Sequence, residues 1–226
     1  MDDFSIVDER LERALRNLRG VNRWLGGYHA ARSALRPMLR REPKLHLLDL
    51  GTGVADYPEH LVPWAERHGC YLEVTALDAN PDTVRYAQQA LDARMPERLR
   101  PRIEVVVGDA LDMSYADDTF DVTLASLFLH HFHGSEAVDL LREMNRVSRR
   151  GLVVNDLHRH PLAYYGIKLL GAILPVSAMF KHDGPLSVLR GFTRDELATL
   201  ARQSDLPRPQ IDWRWAFRWV LHTLDV

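Results

Sequence analysis

The most constraining feature of this chain is a series of apolar runs that each end in glycine or aspartate. Leu45 to Leu50 is the first run, and it leads into the turn Gly51-Thr52-Gly53-Val54-Ala55-Asp56. A second run ends at Asp78, and a third ends at Gly108-Asp109-Ala110. Helical patterns separate the runs, and this alternation predicts a parallel sheet covered on both faces. Because ligands bind beyond the carboxyl ends of such strands, these residues predict one shared binding crevice.

The sixth residue of the glycine turn distinguishes between cofactors. Glycines after a first strand suggest a dinucleotide, whose pyrophosphate rests on the N–H groups that open the next helix. That pattern has glycine or alanine sixth, whereas this chain has Asp56. Two anions at close range repel by about 4 kcal/mol in a partly desolvated crevice. A phosphate-free cofactor with a positive centre is favoured, and S-adenosylmethionine fits, with a ribose diol for Asp78 and an adenine amine for Asp109.

Composition and charge narrow the class of protein further. The 226 residues suit a single domain, and the formal net charge of -2 gives no general attraction to nucleic acid. One cysteine, Cys70, rules out an internal disulfide and predicts a reducing, cytoplasmic location. The acidic N-terminus has no apolar signal segment. The apolar stretch 161–180 is interrupted by glycine and proline, which indicates a covering element rather than a membrane span.

Four regions follow from the pattern along the chain. They are an N-terminal helical cap (1–42), a cofactor-binding core (43–156), an apolar lid insertion (157–191), and a last helix with the final strands (192–226). Within the core, apolar runs predict strands at about 45–50, 72–78, 103–107, 120–126 and 151–156. Within the lid, Lys181-His182-Asp183-Gly184-Pro185 predicts a loop, because glycine and proline interrupt helices.

Four motifs resemble those of the class I S-adenosylmethionine-dependent methyltransferases: LLDLGTGVADYP, TALDANPDTVRYA, VVVGDALDM and FDVTLASLFLHHF. The chain is most similar to the branch with ubiquinone/menaquinone-biosynthesis and small natural-product methyltransferases. The resemblance implies a three-layer, doubly wound α/β fold with a seven-stranded, mostly parallel sheet, N-terminal helices and a helical lid. The departure is Ala55, where the family more often has a third glycine.

The resemblance also implies which residues hold the cofactor. Asp49 and Gly51 are expected beside the methionine moiety, Asp78 at the ribose hydroxyls, and Asp109 at the adenine amine. For Asp56, stabilisation of the helix N-terminus and contact with the ligand remain alternatives. The full set of predicted cofactor-binding residues is Asp49, Gly51, Thr52, Gly53, Asp78, Ala79, Asp109, Ala110 and Ser126.

Histidines are the candidates for acid–base work, because an imidazole titrates near neutral pH. The candidates are His130, His131, His133, His158 and His160, of which His133, His158 and His160 rank first and His130 more often has a structural role in this family. A hydrogen-bonded structural role is the alternative for each of them. The HHxH spacing matches no tetrahedral metal site that we know, so no metal is expected.

The lid composition predicts the acceptor. An apolar lid suits an aromatic or alkyl acceptor, and packing on the domain or on a second subunit is the alternative. The predicted substrate-binding residues are Arg23, Tyr28, His130, Tyr164 and Tyr165.

The predicted function is methyl transfer from S-adenosylmethionine to a small, largely apolar acceptor such as a phenolic, polyketide or quinone-like metabolite. Oxygen is favoured over carbon as the methylated atom. The alternatives are a catalytically inactive binding protein of the same fold and an NAD-dependent oxidoreductase. The expected partners are the small-molecule acceptor and, in a homodimer, a second copy, with monomer and homodimer both open. Nucleic acid and a membrane span are not expected, while peripheral membrane contact through the lid stays open.

Overall fold

A computed structural model describes residues 26–173 and 178–224 of the chain. Its centre is a seven-stranded sheet with the strand order β3-β2-β1-β4-β5-β7-β6, in which β7 runs antiparallel to both neighbours. The strands are β1 Lys44–Leu50, β2 Tyr71–Asp78, β3 Ile103–Val107, β4 Val122–Ser126, β5 Leu152–Leu157, β6 Gln210–Arg214 and β7 Arg218–His222. The predicted fold class, a mostly parallel seven-stranded α/β sheet, is confirmed.

Helices cover both faces of this sheet. They are α1 Gly27–Arg41, α2 Asp56–Glu66, α3 Pro81–Arg94, α4 Ser135–Arg146, α5 Pro161–Ile173, α6 Ala178–Arg190 and α7 Arg194–Gln203, with 3-10 turns at Arg100–Arg102 and Leu129–His131. Adjacent residues of β1 show the three layers, because Leu47 packs with α1, α2 and α3 while Leu48 packs with α4 and α7.

Local chemistry sets the helix starts that lie beside the crevice. The Asn80 side chain accepts hydrogen bonds from the N–H groups of Asp82 and Thr83, and Pro81 occupies the first helical position of α3. Thr193 and Glu196 form a reciprocal capping box at α7. These caps position the chain where it leaves β2 and where it returns to the domain after the lid.

The lid consists of α5 and α6, and here one sequence prediction is wrong. Residues 181–185 lie inside α6, with Pro185 in the helix interior, instead of forming a loop. The reason is packing between the lid helices: a Cβ added to Gly184 would lie 3.3 Å from Ile167 Cγ1 of α5. Tertiary packing of this kind overrides local helix propensity, which is unfavourable for glycine and proline.

None of the helices within the described residues has the length and apolar character that crossing a membrane requires. The boundaries of the four predicted regions stay predictions. Residues 1–25, which belong to the predicted N-terminal helical cap, lie outside the described residues.

Candidate active site

A cavity of about 1220 Å³ opens at the carboxyl ends of β1, β2 and β4, beneath the lid helices. The carboxyl ends of parallel strands meet at one edge of the sheet, which explains why distant motifs converge here. All nine predicted cofactor-binding residues line this cavity: Asp49, Gly51, Thr52, Gly53, Asp78, Ala79, Asp109, Ala110 and Ser126. Their individual binding roles stay predictions.

The turn between β1 and α2 brings backbone close to the cavity. Gly51 and Gly53 have φ values of 62° and 55°, and Ala55, the departure from the family pattern, has 54°. Such left-handed conformations suit glycine and are strained for alanine. A Cβ on Gly51 would lie 2.1 Å from Cδ2 of Phe128, so the ring packs where any larger residue would have its side chain.

Asp78 is fixed at the end of β2 by two backbone donors. The N–H of Gly53 donates to its Oδ2 at 3.0 Å, and the N–H of Asn80 donates to its Oδ1 at 3.0 Å. Burial raises the pKa of Asp78, although both N–H groups act in the opposite direction. The carboxylate therefore joins the glycine turn to the start of α3 and keeps lone pairs for a ligand in the cavity.

Asp49 and Asp56 are buried carboxyl groups that also line the cavity. Burial raises the pKa of Asp49 to about 8, despite a 2.7 Å hydrogen bond that it accepts from the Thr52 hydroxyl. Asp56 is the first residue of α2 and accepts a 2.8 Å hydrogen bond from the Tyr28 hydroxyl. The position of Asp56 is compatible with both roles considered from the sequence, because the residue lies at the N-terminus of α2 and also lines the cavity.

Asp109 is the third acidic residue at a strand end, and it is more exposed than Asp49 and Asp78. Its Oδ1 accepts from the N–H of Leu111 at 2.9 Å, which fixes the turn after β3. Gly108 packs closely on β2, since an added Cβ would lie 2.9 Å from Leu77 Cδ1.

A histidine–aspartate pair lies at the ends of β4 and β5. Asp156 is fully buried, and its Oδ1 lies 2.8 Å from His130 Nδ1 while its Oδ2 accepts from the His130 N–H at 3.0 Å. Burial opposes ionisation of Asp156, but His130 and the N–H donors outweigh it and hold the pKa below its usual value. Because the carboxylate accepts from Nδ1–H, a neutral His130 ring has its lone pair on Nε2. His130 lines the cavity, as does His131.

The three histidines ranked first by sequence lie elsewhere. His133 is exposed and lines a separate pocket of about 540 Å³ beside α7. His158 packs on Trp219, with ring centroids 4.7 Å apart, and burial lowers its pKa. His160 Nδ1 accepts from the N–H of Leu162 in the first turn of α5. None of these three lines the main cavity. Sequence reasoning ranked them by distance from strand ends and missed that Asp156 would orient His130.

The predicted substrate-binding residues are also distributed unevenly. Arg23 lies outside the described residues. Tyr28 does not line the cavity, although its hydroxyl holds Asp56. Tyr164 and Tyr165 lie on α5 but not on its cavity side. Aliphatic and small residues line that side instead: Leu162, Ala163, Gly166, Ile167 and Leu170.

A buried polar cluster that sequence reasoning did not identify supports the floor of the site. The Asn155 amide donates to the Tyr57 hydroxyl at 2.9 Å, to the Gly27 carbonyl at 3.3 Å and to the Ser126 hydroxyl at 3.4 Å. This links β5 to α1, α2 and β4. The one signal in the sequence was a polar Asn155-Asp156 pair that ends an otherwise apolar strand. Among the described residues, no group of three His, Cys, Asp or Glu side chains is arranged to hold a metal ion.

Comparisons with known proteins agree with this geometry. Residues 48–154 match the family model described as methyltransferase domain. Norajmaline N-methyltransferase of Rauvolfia serpentina is 30% identical over 53% of this chain and 38% of its own. Demethylmenaquinone methyltransferase of Roseiflexus sp. is 30% identical over 53% of this chain and 46% of its own. The chain thus spans less than half the length of these curated relatives.

Solved structures share the fold. A SAM-dependent methyltransferase from Aquifex aeolicus superposes with a TM-score of 0.58 at 16% identity, over 82% of this chain and 84% of its own. Human N-acetylserotonin methyltransferase in complex with SAM superposes with a TM-score of 0.67 at 18% identity, over 96% of this chain and 56% of its own. At these identities the likeness concerns the fold alone.

The matched methyltransferase domain, the methyltransferase relatives and the fold together support the class I S-adenosylmethionine-dependent methyltransferases as the family of this chain. The human N-acetylserotonin methyltransferase structure holds S-adenosylmethionine, which is the cofactor predicted for this chain. The residues present suit it, because Asp49 is a buried carboxyl group with a raised pKa, and a cationic ligand would stabilise its charged form.

Proposed function

We propose that the protein transfers a methyl group from S-adenosylmethionine to a small, largely apolar acceptor, with an acidic oxygen as the first target. The single observation that carries this proposal is the shape of the cavity. Carboxyl groups line its sheet end, and the lid residues that line the cavity are mostly apolar, with Asp183 and Arg190 as the charged exceptions. The first end suits a cation, while the second suits an aromatic or alkyl group and excludes water from it.

The bound cofactor supplies an electrophilic methyl group on its sulfonium. The chain supplies alignment and a base. His130 is the proposed base, because Asp156 holds its Nδ1–H and leaves the Nε2 lone pair to take the proton of an acceptor hydroxyl. Asp156 then stabilises the imidazolium that forms, as a positioning residue. The proposal replaces the sequence-based ranking of His133, His158 and His160, since none of these lines the cavity.

The test uses His130→Gln in the full chain, with His133→Gln as a matched control outside the cavity. Radiolabelled methyl transfer is measured across phenol, quinol and amine acceptors, and S-adenosylhomocysteine affinity is measured in parallel. Since a general base contributes roughly 100-fold or more, His130→Gln should lose that factor in kcat for phenols and keep its ligand affinity. His133→Gln should keep both.

Two results would contradict the proposal in separate ways. Activity of His130→Gln close to that of the unchanged protein would remove His130 as the base. Labelling of protein or nucleic acid, with no label in any small acceptor, would remove the substrate class.

A further inference from the structure

The lid helices carry an unusual share of the large apolar side chains that are exposed. Eleven large apolar side chains are exposed among the described residues, and seven of them lie on α5 and α6. These seven are Leu162, Tyr165, Leu169, Leu170, Ile173, Leu186 and Leu189. Trp213 and Trp215 are also exposed, and both line the same cavity as the lid. Apolar side chains therefore surround the cavity mouth.

Helix α5 is apolar on both of its sides. Ala163, Ile167 and Leu170 line the cavity, whereas Tyr165, Leu169 and Ile173 do not and are 66%, 61% and 70% exposed. A helix that is apolar all round is normally buried all round. The cavity explains why the inner side of α5 is apolar. The exposed outer side has no such explanation within the domain, and it suits contact with a second apolar surface.

The charge on the outer side of the lid indicates what kind of apolar surface it contacts. Outside the cavity lining, the described lid helices carry the cations Lys168 and Lys181, whereas Asp183 and Arg190 line the cavity and offset each other; the whole chain has a formal net charge of -2. Lys168 and Lys181 are exposed. Exposed lysines beside apolar and aromatic side chains match an anionic lipid surface, where tryptophan and tyrosine favour the interface between headgroups and chains.

We propose that the outer face of the lid docks on an anionic membrane surface, with α5 lying in the interface and the cavity mouth facing the lipid. A helix of 13 residues is about 20 Å long, which suits lying in the interface and not spanning it. An apolar acceptor dissolved in the bilayer would then enter the cavity between the lid and the tryptophans. A symmetric dimer through this face is disfavoured, because it would bring the exposed lysines of both copies into the same interface.

The test is co-sedimentation of the full chain with vesicles of phosphatidylcholine alone or mixed with phosphatidylglycerol. The mixed vesicles should bind the protein more tightly, and added salt should weaken the binding. The triple variant Tyr165→Ser, Leu169→Gln, Ile173→Gln should partition about tenfold less. Tyr71→Ser is the matched control, because Tyr71 is an exposed apolar residue away from the cavity, and it should change partitioning less than about twofold.

A charge-reversal variant and thermal unfolding test the proposal further. Lys168→Glu with Lys181→Glu leaves the apolar residues in place and should lower binding to the mixed vesicles alone. Thermal unfolding of each variant checks that the fold persists. Equal binding by the triple variant and the unchanged protein would overturn the proposal, as would a lack of binding to either vesicle. A dimer that the triple variant abolishes would assign the face to a second copy instead. The assay contains no methyl donor, so its failure is separate from failure of the proposed function.

Discussion

The carboxyl groups that line the cavity differ in burial and in the hydrogen bonds that they accept. Asp78 is held by two backbone N–H groups, whereas Asp49 is fully buried beside Asp56 and Asp78 and receives one hydroxyl hydrogen bond. Desolvation penalises the charge on Asp49 most, and its neighbours add to that penalty. A positively charged ligand would reverse the balance, so proton exchange should accompany binding.

The pKa of Asp49 gives a pH prediction. Its value of about 8 lies above the 3.8 of a free carboxyl group, so the stability it gives the unliganded fold is present below about pH 4 and is lost as the pH rises through 8. Binding of cationic S-adenosylmethionine should therefore release a proton at pH 7, and affinity should rise between pH 6 and 8. Titration calorimetry in buffers of different ionisation enthalpy measures this proton release. Binding without any proton exchange would contradict the assignment.

Asp78 gives a prediction about affinity. Asp78→Asn keeps the shape of the side chain but replaces one acceptor oxygen with a donor, and it removes the charge. S-adenosylhomocysteine affinity should fall by tenfold or more, which corresponds to about 1.4 kcal/mol. Asp112→Asn is the control, because Asp112 is exposed and does not line the cavity. Equal affinities for the two variants would remove Asp78 from the binding site.

At the scale of elements, the conformation of the β1–α2 turn depends on its glycines. Gly51→Ala would place a Cβ 2.1 Å from the Phe128 ring, in addition to a left-handed backbone cost of about 1–2 kcal/mol. We expect lower stability and weaker S-adenosylhomocysteine binding, because the ring must move within the cavity wall.

The matched control for this turn is Gly69→Ala. Gly69 has a φ of 81°, and an added Cβ would meet no atom within 4 Å, so it incurs the backbone cost without a clash. Urea unfolding and titration calorimetry compare the two variants. The account of the turn fails if both variants lose the same stability and both bind the ligand as the unchanged protein does.

The five parallel strands were predictable from sequence because each is a short, mostly apolar run that ends in a distinctive residue. The cavity lining was predictable for the same reason, since strand ends converge at one edge of the sheet. The lid helix around Pro185 was not predictable, because packing between the lid helices, such as that of Gly184 against Ile167, is not visible in the local sequence. The His130–Asp156 pair was not predictable either, because 26 residues separate its members and their pairing needs β4 beside β5.

The whole molecule combines a polar end and an apolar end within one cavity. The sheet supplies the carboxyl groups, α5 and α6 supply the aliphatic cover, and β7 completes the sheet beside β5. Burial of Asn155 and Asp156 at the junction fixes β5 against its neighbours, so that both ends keep their positions. Under the proposed function, the polar end would hold the cofactor and the apolar end would hold the acceptor.

The most direct measurement of this account is titration calorimetry of the full chain with S-adenosylmethionine and, separately, with NAD. Carboxyl groups at three strand ends, with Asp56 at the start of α2, favour a phosphate-free cation and repel a pyrophosphate. The account predicts micromolar binding of S-adenosylmethionine and binding of NAD at least about 100-fold weaker, which is about 2.8 kcal/mol. NAD binding as tightly as S-adenosylmethionine, or no binding of S-adenosylmethionine, would contradict it.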